Sequence, residues 1–91
     1  MATPAEVRKA LKKFSTKIDR ANKEIEDVLQ TVRELEKVLD TYNADEDLNI
    51  TRGIKADIRQ GKKKVDDLRN NVNKLQKELS DTKRKYHYLA T

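Results

Sequence analysis

The chain is predicted to be all-α: two long helices folded back on each other as an antiparallel coiled-coil hairpin. Three observations predict this. Apolar residues recur without a miss from Val7 to Tyr42 in alternating steps of four and three. A second stripe with the same spacing runs from Ile54 to Leu89. Between them lies a short run of turn and capping residues. Steps of three and four keep one narrow seam on one side of a helix, the pattern of a coiled-coil strand. The expected division is a single helical-hairpin domain over 1–91, with helix 1 about 4–42, the turn about 43–49 and helix 2 about 50–89.

Thr3-Pro4-Ala5-Glu6 opens the first helix. Thr3 caps free amides, Pro4 suits the first helical position, and Glu6 completes a capping box. A start so near the chain's beginning suggests a self-contained unit. With Leu11, Ile18, Ile25, Val32 and Leu39 at heptad position a, the residues Val7, Phe14, Ala21, Val28, Leu35 and Tyr42 fall at d. Ala10, Leu29 and Val38 lie on the flanking e and g positions. A strict two-stranded seam does not need them, whereas a helix with more than one neighbour does.

Asn43, Asp45, Glu46, Asp47 and Asn49 then break the pattern. Asp47 or Asn49 is the expected cap of the second helix, and Asn43 with Glu46 forms a further capping box that would shorten the loop. The second stripe contains two poor members, Gly61 and Thr82. Glycine inside a helix costs about 1 kcal/mol relative to alanine. Gly61 therefore marks either a tolerated weak point or a place where another backbone comes close.

Antiparallel pairing has a preferred register. If partners sum to 93, Leu39 meets Ile54, Leu35 meets Ile58, Ile18 meets Leu75 and Val7 meets Tyr86, so the termini align. A sum of 86 is the rival and leaves Tyr86 and Leu89 overhanging. Charge agrees with antiparallel folding. Residues 24–47 hold nine acids against Arg33 and Lys37, and residues 48–73, which lie beside them, hold seven basic groups against three acids. Lys17 can face Glu78, and Glu36 can face Lys55 or Lys62.

The remaining charge gathers at the open end, where residues 1–23 and 74–91 hold twelve Lys or Arg against four acids. Arg8, Lys9, Lys12, Lys13, Lys17, Lys83, Arg84 and Lys85 make up this basic patch. It could bind an anionic polymer or surface. On a helical rod such residues are more often a solvated face.

Composition narrows the chemistry. Charged residues are 41% of 91, with one Phe and no Trp, so two helices bury one seam each and extra burial in a dimer is expected. Without cysteine, disulfides, thiol catalysis and Cys-based zinc sites are excluded. No apolar run approaches the ~20 residues that span a bilayer. The N-terminus lacks a signal-peptide core, so a cytoplasmic protein is the default, with leaderless export the alternative. A membrane-lying helix would want a broader apolar face with bulky aromatics.

Two constellations resemble sites. Asp45, Asp47, Asn49 and Thr51 imitate the first half of a calcium loop. Ile50 stands where the turn needs Gly, and Ala56 where a bidentate Glu should close the shell. An acidic capping turn is the simpler reading. His87 has no second His, no Cys and no Ser partner, and a two-helix rod offers no dry pocket. It is expected to be an exposed histidine, while Tyr86 and Leu89 close the seam and Tyr88 lies off it. Asn22, Asn70, Asn71 and Asn73 read as polar-face residues. No catalytic residue, cofactor, metal or small-molecule substrate is expected.

In length and shape the chain resembles the small secreted helical hairpins of Gram-positive bacteria, whose turn carries Trp-x-Gly; this sequence has no Trp. Its basic hairpin is also similar in shape to the RNA-binding arm of seryl-tRNA synthetase, and its architecture to small helical chaperones and adaptors. Architecture does not imply function. The expectation is a non-enzymatic interaction, scaffolding or adaptor module. It would pair with itself as a homodimeric four-helix bundle or dock on the helices of another protein, through Ala10, Leu29 and Val38 with Gly61 permitting close approach. The alternative is a nucleic-acid-binding coiled-coil arm that uses the basic open end.

Overall fold

The computed structural model describes residues 3–42 and 48–87. Helix α1 runs over Pro4–Thr41 and helix α2 over Leu48–Lys85, 38 residues each. At 1.5 Å per residue each helix is about 57 Å long. Together they form a rod measuring 67 × 14 × 14 Å.

Local chemistry sets the ends of α1. Thr3 is extended (φ −84°, ψ 159°), and its hydroxyl accepts from the Glu6 N–H at 3.2 Å. The Val7 N–H donates to the Thr3 carbonyl at 3.0 Å, with Pro4 at the position where no amide is missed. At the other end Tyr42 turns extended and donates its N–H to the Leu39 carbonyl at 3.2 Å. The Thr41 hydroxyl donates to the Val38 carbonyl at 2.7 Å. Helix α2 starts at Leu48, so Asn49 lies within its first turn and does not cap it. Asp47 and the Asn43–Glu46 box fall outside the described residues, as do Asp45, Tyr88 and Leu89. Lys83, Arg84 and Lys85 occupy the last turn of α2, where cations complement the helix dipole.

Gly61 identifies the register. A Cβ built there would sit 2.6 Å from Val32 Cγ2 and 3.8 Å from Val28 Cγ1. Residues 61 and 32 sum to 93, whereas a sum of 86 would have set Gly61 against Ile25. The close approach at Gly61 is made by α1 of the same chain, so this glycine serves the hairpin itself.

The core runs through Ile18, Ala21, Ile25, Val65 and Val72, with Val28, Leu29, Leu68, Leu75 and Leu79 packed against it. Stiff β-branched residues hold the inside of the layers: Ile18, Ile25 and Val32 on α1, and Ile58, Val65 and Val72 on α2. Their larger partners, such as Phe14, Leu35, Leu68 and Leu75, are half-buried along the rims because two helices leave the seam open on both sides. One layer lies beyond the stripe as read from sequence. Thr51, three residues before Ile54, is 4% exposed and extends the seam toward the turn, in the register that sets it opposite Tyr42.

Candidate functional site

Two ion pairs define the flanks of the rod. Lys62 Nζ lies 4.0 Å from Glu36 Oε1, joining the e positions of both helices. Lys64 Nζ lies 3.3 Å from Glu24 Oε1, joining the g positions. All four side chains are about half exposed, so these pairs record geometry more than they add stability.

The g flank leads to the turn end. Moving two heptads along α1 from Glu24 reaches Val38, and two heptads back along α2 from Lys64 reaches Ile50. The relationship that pairs Glu24 with Lys64 thus sets Val38 opposite Ile50. Neither is covered: Val38 is 42% exposed and Ile50 48%. Tyr42, one turn beyond Val38, is also exposed, as is Leu48 on the e flank. Every exposed large hydrophobic among the described residues lies at this end.

Of the four residues expected to form a partner surface, only Val38 is open. Ala10 is half-buried, Leu29 packs against the core, and Gly61 lies beneath Val32. Sequence reasoning missed Leu48 and Ile50 because they sit among turn-forming residues. The available signal was their heptad position: each lies one heptad before a flank residue, Lys55 and Asp57 respectively. Tyr42 holds a seam position by its heptad spacing, yet it is 39% exposed.

The basic residues gather at the opposite end. Arg8, Lys9, Lys12, Lys13, Lys17, Lys83, Arg84 and Lys85 are all exposed. The antiparallel register brings the start of α1 beside the end of α2. Arg8 Nε donates to the Pro4 carbonyl at 3.4 Å, and Lys85 Nζ stands 5.2 Å from the centre of the Tyr86 ring. His87 is exposed, with Nδ1 3.1 Å from the Arg84 carbonyl.

One surface depression is lined by Glu26, Asp27, Leu29, Gln30 and Arg33. All five come from α1, so groups from separate elements do not converge there as catalysis requires. Among the described residues no group of three or more His, Cys, Asp or Glu is placed to hold a metal ion. No described helix is long and apolar enough to cross a membrane.

The family model described as TOCA family HR1 domain matches residues 3–86, a span that takes in both helices and the turn. No curated protein and no solved structure gives a match.

Proposed function

This chain belongs to the TOCA family of HR1 domains, helical protein-interaction modules, and we propose that it acts as a scaffolding or adaptor module whose turn end docks another protein. The family is one of interaction domains and not of enzymes. HR1 domains bind other proteins, small GTPases among them, and a small GTPase is the partner class proposed for this chain. One observation carries the reading: Val38, Tyr42, Leu48 and Ile50, apolar and exposed, are gathered at one end of the rod. Scattered surface apolar residues need no explanation, but a localised group marks an interaction site. The test is calorimetry of the hairpin against a panel of small GTPases, each loaded with GDP or a non-hydrolysable GTP analogue. Saturable binding by at least one, weakened when Val38 and Tyr42 become Ser, supports the reading. No binding across the panel overturns it.

Self-pairing as a four-helix bundle is the competing use of the same apolar end. Sedimentation velocity across micromolar concentrations separates the two, since a dimer sediments faster as concentration rises and a monomeric adaptor does not.

The exposed basic end favours a second reading, a nucleic-acid-binding arm. It predicts binding to single or double strands that falls steeply with salt and is lost when Lys12, Lys13, Lys83, Arg84 and Lys85 become Gln. No binding at low salt ends it.

A further inference from the structure

Glycine inside a helix needs a reason, because it weakens the helix relative to alanine. Gly61 has one in Val32. Gly53 does not: a Cβ built there would meet nothing within 4 Å, and no glycine in the described residues has a positive φ. Neither backbone conformation nor packing among the described residues calls for glycine at residue 53.

Its position is informative. Gly53 lies one turn after Ile50, on the same side of α2 and toward the g flank. It therefore adjoins the uncovered Val38–Ile50 pair. The flank around them is acidic: Glu24, Asp27, Glu34, Asp57 and Asp67 lie on this side of the turn half, against Lys64, which is held by Glu24. The opposite flank at the same height is mixed: Arg33, Arg52, Lys55, Arg59 and Lys62 stand there with Glu26, Glu36, Asp40 and Asp66, and Lys62 is held by Glu36.

We infer that the g flank of the turn end is the docking face, on which Val38 and Ile50 receive an apolar protein surface, Gly53 lets that surface approach the α2 backbone, and the flanking carboxylates pair with Lys or Arg around it. The occupant is thus a folded protein presenting an apolar patch ringed by basic residues. The inference rests on the proposed function and specifies which side of the hairpin carries it.

Gly53→Ala separates folding from docking because the two effects have opposite sign. With nothing to collide with, the added methyl raises the melting midpoint of the hairpin by roughly 4–8 °C. It also stands where the partner approaches, so affinity for a GTPase that binds the unaltered hairpin falls at least about fivefold. Val38→Ser with Ile50→Ser weakens binding about tenfold or more, and Asp57→Lys weakens it and reduces its salt dependence. Lys55→Gln, on the other flank, leaves affinity within about twofold. If no GTPase binds the unaltered hairpin, the proposed function falls and this inference with it. If one binds but Gly53→Ala and the paired serine variant bind as tightly, only the docking face is overturned. Sedimentation showing a dimer that the serine variant dissolves would overturn it as well, by assigning the patch to a second copy of the chain.

Discussion

Val32 of α1 occupies the space that a side chain on Gly61 of α2 would claim: a Cβ at Gly61 would lie 2.6 Å from Val32 Cγ2. Val32 is 3% exposed and β-branched, so its methyl has little freedom to move aside. Two effects oppose each other in Gly61→Ala. Helix propensity favours alanine by about 1 kcal/mol, while overpacking a core costs about 1–3 kcal/mol. The clash is with a rigid, buried neighbour, so the expected net change is a loss of about 1 kcal/mol in urea unfolding. Adding Val32→Ala should show favourable coupling of about 1 kcal/mol in a double-mutant cycle. Strict additivity of the two changes would contradict this account of the register.

Two isoleucines on α2 should respond very differently to truncation. Ile58 is 8% exposed and Ile50 48%. Ile58→Ala removes buried methyl groups and leaves a gap, at a cost of about 2–4 kcal/mol. Ile50→Ala should change stability by no more than about 0.5 kcal/mol. Comparable melting shifts for the two would mean that Ile50 is not on an uncovered flank.

The Thr3 hydroxyl holds the Glu6 N–H at 3.2 Å. Thr3→Ala should cost about 1 kcal/mol, and Thr3→Ser much less, because only the hydroxyl is needed. Hydrogen exchange localises the effect. The first turn of α1 should exchange faster in the alanine variant while the middle of the rod is unchanged.

The exposed ion pairs contribute little. Neutralising Glu24 and Lys64 singly and together should reveal a coupling below about 0.5 kcal/mol, further reduced by salt. A coupling of several kcal/mol would show that the pair is far less hydrated than its 49% and 58% side-chain exposures imply.

Much of the hairpin was legible in the sequence because heptad spacing and capping are local codes. Thr3, Pro4 and Glu6 announce the start of α1, and the stripe from Val7 onward specifies which side is buried. Thr51 was not legible: a threonine does not register in an apolar pattern, yet the seam continues through it. The candidate docking residues were only partly legible. Val38 stood out as an apolar flank residue, but Leu29, of the same type, turned out to pack against the core. Exposure at a flank position depends on what the other helix presents opposite it. Val38 stands opposite another apolar residue at the edge of the rod, and no described residue covers either.

By itself, the sequence determined two amphipathic helices, their antiparallel sense and the segregation of charge along the rod. Periodicity and charge are properties of one strand at a time, or of sums over segments. Only the tertiary structure decided that Gly61 is filled by Val32 while Gly53 is left bare, and that Val38 and Ile50 share an uncovered flank. Those facts depend on which atoms of α1 stand opposite which atoms of α2. That is a matter of register and distance across the seam, and neither glycine differs from the other until the second helix is in place.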